Sequence, residues 1–135
     1  MRPMLAAALL ALTMGGASTA LADGGMTVTL PDVSGLSDAE AKALIAQLAQ
    51  VNVITSNCPA YPITDGEWTL ITGTADRLAA KLGLDASSYD KEYYAPAFQL
   101  LDDPGACDRI GPTSAAVLKR LVGMGGDTTP VARSE

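Results

Sequence analysis

The chain is 135 residues long, carries 9 basic against 15 acidic side chains, and contains no histidine. Without imidazole there is no Ser-His-Asp triad, no histidine metal site, no Cys-x-x-Cys-His haem attachment and no histidine pH switch. A net charge of −6 repels phosphate, so neither nucleic acid nor an anionic membrane surface is an expected partner.

Residues 1–22 read as a secretory signal. Arg2 supplies a minimal positive charge, Leu5–Met14 is a ten-residue apolar run, and Thr19-Ala20-Leu21-Ala22 offers the small-x-small cleavage pattern before Asp23. A membrane span needs roughly 20 apolar residues, and Gly15-Gly16 ends this run short of that, so no membrane insertion is expected after cleavage. There is no Arg-Arg pair for twin-arginine export and no cysteine after the cut to take a lipid. Asn52 and Asn57 both lie outside an N-x-S/T sequon. The expected location is the bacterial periplasm, with the extracellular medium as the alternative. Cleavage leaves 113 residues with a net charge of −7. Val, Ile, Leu and Phe make up about 22% of them, enough for one compact domain and not for two.

Residues 23–36 alternate at Met26, Val28 and Leu30, which predicts an extended N-terminal arm. Ser37-Asp38-Ala39-Glu40 is a capping box, and the helix it opens places Ala41, Leu44, Leu48 and Val51 on one face beside Ile45. That helix is expected to end between Asn52 and Asn57. Pro59, Pro62 and Gly66 mark a turn-rich connection. Thr64-Asp65-Gly66-Glu67 repeats the capping box. Trp68, Ile71, Ala75, Leu78 and Leu82 then form one helical seam, closed by Gly83. Ser87 or Ser88 is expected to cap a third helix from Tyr89 to about Asp103, with Tyr89, Tyr93, Ala97 and Leu100 in one stripe widened by Tyr94, Phe98 and Leu101. Pro96 should kink or split it, and Asp103-Pro104-Gly105 should break it. Pro112-Thr113-Ser114 starts a last helix with Val117, Leu118, Leu121 and Val122 inside, stopping at Gly125-Gly126. A flexible tail is expected over 127–135.

Cys58 and Cys107 are the only thiols. In an exported chain their default state is one intramolecular disulfide, worth roughly 4 kcal/mol for a loop of this length. Together these readings predict an all-α fold: a small bundle of about four helices over 37–126, with an extended N-terminal arm and one long-range disulfide.

Few residues suggest chemistry. Ser88-Tyr89-Asp90-Lys91 matches Ser-x-x-Lys, but neither Ser-Asp-Asn nor Lys-Thr-Gly accompanies it, and a helix cap explains Ser88 equally well. Asp85, Ser87, Asp90 and Glu92 loosely suggest a calcium loop. An EF-hand needs Gly at its sixth position and Glu at its twelfth, and Asp90 and Pro96 stand there instead. Asp102, Asp103 and Asp108 read more simply as solvated carboxylates at helix ends. Trp68 and tyrosines 61, 89, 93 and 94 are expected to fill the core. Tyr93 and Tyr94 point about 100° apart on a helix, so one of them is the candidate for partner binding. No glycine pattern cradles a phosphate. No catalytic constellation, cofactor site or metal site is predicted.

The expected architecture between about 37 and 124 resembles that of the HdeA-type periplasmic acid chaperones, which are also small, helical and closed by one long-range disulfide. The leading functional expectation is a non-catalytic accessory or binding protein of the bacterial cell envelope that acts on a protein partner. The resemblance implies an alternative, a holdase activated when the fifteen carboxylates titrate. A small hydrolase using carboxylates alone is the third, and it needs two Asp or Glu facing one cleft.

Overall fold

The computed structural model describes residues 26–131, so the expected signal segment at 1–22 lies outside the described residues. Four helical stretches make up the domain. The first two are α1 (Asp38–Asn57) and α2 (Asp65–Lys81). The third runs from α3 (Ala86–Tyr89) through a π-helical turn (Asp90–Tyr94) into α4 (Ala95–Gln99) and a 3-10 turn at Leu100–Asp102. The fourth joins α5 (Ala106–Ile110), a 3-10 turn at Gly111–Thr113 and α6 (Ser114–Gly123). The all-α bundle read from the sequence is the fold observed.

Both capping boxes form. Ser37 Oγ accepts from the Glu40 amide at 3.1 Å while Glu40 accepts from the Ser37 amide at 2.8 Å. Thr64 and Glu67 do the same at 3.1 and 2.9 Å. Each box satisfies two of the amides a helix start leaves without an intrahelical partner.

Helix α1 is the axis of the bundle. It contacts α2, α4, α5 and α6, and its buried residues lie on several faces: Leu44, Ile45 and Leu48 on the main core, Ala49 and Val53 toward α4, Ile54 toward α5. A helix surrounded by partners is apolar on more than one side. Its one buried threonine is satisfied locally: Thr55 Oγ1 donates to the Val51 carbonyl at 2.7 Å.

In α2 the expected seam is buried at Ile71, Ala75 and Leu78 and differs at Trp68. Leu70, Ile71, Thr74, Ala75 and Leu78 are buried, whereas Trp68 is 46% exposed. Thr74 hid this alternative in the sequence, because it looks polar. Its hydroxyl donates to the Leu70 carbonyl at 2.6 Å, which lets it sit fully inside.

The third stretch departs from expectation twice. Asp85, not Ser87 or Ser88, is the cap, accepting the Ser88 amide at 2.7 Å. Pro96 does not split the helix. The turn before it widens, so that the Ala95 amide reaches back to the Asp90 carbonyl, and helical dihedrals continue through Tyr94 and Ala95. A π turn absorbs the missing proline N–H by changing the register of the ladder around it.

The arm has a partner that its sequence did not reveal. The Asp127 amide donates to the Thr29 carbonyl at 2.9 Å, Val131 to Thr27 at 2.8 Å, and Asp32 to Met124 at 3.3 Å. Residues 127–131, expected to be a loose tail, therefore run antiparallel beside the arm. Glycines permit the close approach: a Cβ on Gly66 would overlap the Thr128 carbonyl, and one on Gly73 would lie 2.8 Å from Leu30 Cδ2. Pairing of this kind depends on long-range backbone contacts, for which alternation alone gives no signal.

Cys58 and Cys107 are joined, with their Cα atoms 5.8 Å apart, and tie the end of α1 to α5. Beside the bridge, the Tyr61 ring lies flat on Gly111, and the Tyr61 hydroxyl donates to Asp108 at 2.7 Å.

Candidate functional site

Helix α2 packs mainly on α1 and α6, and the third stretch packs mainly on α1. The strip of surface between these two walls, the groove, holds Trp68 from one side and Tyr94 from the other. Trp68 Nε1 donates to Asn52 Oδ1 at 3.1 Å, and Asn52 Nδ2 donates to the Tyr94 hydroxyl at 3.0 Å. One amide on α1 thus links both walls. Tyr94 stacks obliquely on Tyr89 at 5.0 Å between centroids and on Phe98 at 6.4 Å.

The tyrosines singled out in the sequence are both half-buried. Tyr93 packs on the main core and on the Ala49–Val53–Ala97 cluster, and Tyr94 on that cluster alone. The exposed aromatics are Trp68 and Phe98, at 46% and 52%. The sequence argument missed them because it placed Trp68 on the buried seam and Phe98 on the inner stripe. Asn52 carried no signal at all beyond its lack of a glycosylation sequon.

Between the C-terminal half of α2 and the start of the third stretch lies a depression of about 350 Å³. Asp76, Asp85 and Tyr89 line it, with Leu84 and three alanines between them. Burial pushes the Asp76 carboxyl above the ordinary carboxylate value. The Ser88 amide, and then its hydroxyl, hold Asp85 below that value. Burial, and then the hydrogen bond to Tyr94, push the Tyr89 phenol upward. Two carboxylates with opposite shifts thus share one depression. Asp85 is nonetheless committed to capping α3, which ties its charge to the helix start.

The other acidic candidates are engaged internally. Asp103 binds Arg109 at 2.9 Å and the Gly105 amide at 2.9 Å, and Asp108 takes the Tyr61 proton donor. Among the described residues no three His, Cys, Asp or Glu side chains are gathered to hold a metal ion. Ser88 serves α3 through its backbone, and Lys91 lies in the π turn. No helix among the described residues is long and apolar enough to cross a membrane.

Comparison with protein-family models, curated proteins and solved structures finds no match.

Proposed function

We propose that this is an exported binding protein of the bacterial cell envelope, and that it engages a protein partner through the groove between α2 and the third helical stretch. The observation that carries this reading is the exposure of Trp68, bonded through Asn52 to Tyr94, and of Phe98, packed on Tyr94, in a chain with only six aromatic residues. Trp and other aromatics are enriched at the centres of protein interfaces, where they bury large areas at low entropic cost. Export is supported by the character of residues 1–22 and by a disulfide, which persists in oxidising compartments. Binding rather than catalysis is favoured because both thiols are joined and the chain holds no histidine.

The test is co-purification from the envelope fraction, with captured proteins identified by mass spectrometry. A partner retained by the wild type and by a Lys119→Ala control, and lost from a Trp68→Ala/Phe98→Ala variant, is the expected outcome. Equal capture by all three, or capture of nothing above background, would remove the groove as the working surface.

A second reading, an acid-activated holdase, is favoured by one specific feature. Asp32, Asp85, Asp103 and Asp127 each hold a loop or helix start and sit below the ordinary carboxylate value. Their donors are the hydroxyl and amide of Ser34, the Ser88 amide, the Gly105 amide with Arg109, and the Thr129 amide. A carboxyl depressed on folding stabilises the native state above its unfolded value and loses that contribution as pH falls through the folded one. Asp76, raised by burial, acts with the opposite sign and is relieved by protonation. Stability should therefore hold from pH 7 down to about 5 and decline below about 4. On this reading, dye-detected apolar surface and suppression of client aggregation emerge together at about pH 2–3 and are absent at pH 7. Acidified protein that binds no dye and protects no client would eliminate it.

A further inference from the structure

The depression between α2 and the third stretch combines features that the aromatic face alone does not explain. Its two carboxylates, Asp76 and Asp85, face no basic side chain among the residues that line it. The basic residues of α2 are turned away. Arg77 reaches the Pro31 carbonyl at 3.5 Å and Lys81 the Ser34 carbonyl at 3.2 Å, both on the arm. Among the described residues, the one ion pair joins Arg109 to Asp103. Asp76 is thus a solvent-accessible carboxylate on the depression with no cation supplied to it by the described residues, which leaves it open to a counter-charge from outside.

The remaining lining fits the stem of such a ligand. Ala80 and Ala86 leave room, Leu84 offers an apolar surface, and the Tyr89 ring can face a cation. A volume of about 350 Å³ falls at the small end of ligand sites and suits one long side chain. Trp68, Thr72 and Asp76 follow one another at intervals of four along α2, so the depression and Trp68 share one helix face.

We infer that this depression is a cation pocket that takes a lysine or arginine side chain of the protein partner, its charged head against Asp76 and Asp85 and its apolar stem along Leu84 and the Tyr89 ring. The inference rests on the proposed binding function and names the chemistry of the partner: a basic residue flanked by apolar ones. The acidity of the chain draws such a segment in.

The test uses the oxidised full chain and three probes: agmatine, a short peptide with one arginine between leucines, and the same peptide with citrulline in place of arginine. Citrulline keeps the shape and removes the charge. The readout is the amide NMR shifts of Ala80, Ala86 and Tyr89. The expected result is that the arginine peptide moves these amides with a Kd of the order of millimolar, more tightly than agmatine, with citrulline about fivefold weaker or worse. Asp76→Asn should weaken the arginine peptide by about fivefold, the scale of one exposed charge pair. Asp85→Ser removes the second charge while keeping a competent helix cap, so its loss of binding is not a loss of fold. Agmatine binding as tightly as the peptide would overturn the partner side chain as the source, leaving a free amine. Equal binding of the arginine and citrulline peptides, or no movement of these amides, would overturn the pocket. If Trp68→Ala/Phe98→Ala loses a captured partner that Asp76→Asn keeps, the pocket fails while the binding function stands.

Discussion

Breaking the Cys58–Cys107 bridge is expected to cost about 4 kcal/mol, among the largest single losses available to this domain. The closed segment spans 49 positions and includes all of α2 and the third helical stretch, so opening it releases much of the chain in the denatured state. For a small domain whose whole stability is of the order of 5–15 kcal/mol, that is a large fraction. The measurement is urea unfolding of the oxidised protein against Cys58→Ser/Cys107→Ser. The midpoint should fall sharply in the variant, and thiol titration of the denatured, unreduced wild type should find no free sulfhydryl. Two titratable thiols, or coincident midpoints, would show that the bridge does not hold the fold.

The second large effect is in the core, and its contrast with the surface is the sharper part. Leu48 is fully buried between α1 and its neighbours, so Leu48→Ala should cost about 2–5 kcal/mol through lost transfer energy and a residual cavity. Trp68→Ala removes a much larger side chain, yet Trp68 is 46% exposed and held by one hydrogen bond to Asn52. Its cost should be only about 1 kcal/mol. A Trp68→Ala variant as unstable as Leu48→Ala would place Trp68 in the core after all, and with it the groove would lose its principal contact.

That contrast also shows where sequence reasoning reached and where it stopped. The capping boxes at Ser37 and Thr64, the stop at Gly83 with φ +67° and the cysteine pair were legible because each is a local rule with its own residue types. The failures share a different cause. Trp68 and Leu70 both begin acceptable stripes of α2, and the choice between them belongs to the partner helix. Thr74 reads as polar until its hydroxyl finds the carbonyl four residues back. Pro96 reads as a place to split the helix until the ladder slips by one residue ahead of it. The groove could not be read at all, since it is a gap left between two elements that share a third. Asn52, which joins its walls, has no pattern of its own.

The arrangement of the chain ends has a mechanical consequence. Thr27 and Val131 are bonded at the outer edge of the arm–tail pair, with Thr29–Asp127 and Asp32–Met124 behind them. Tension applied at the two ends meets these links one at a time, as in the opening of a zip, rather than sharing the load among them. The flanks should peel away at low force, and the pull would reach the sulfur-linked interior only once they have parted.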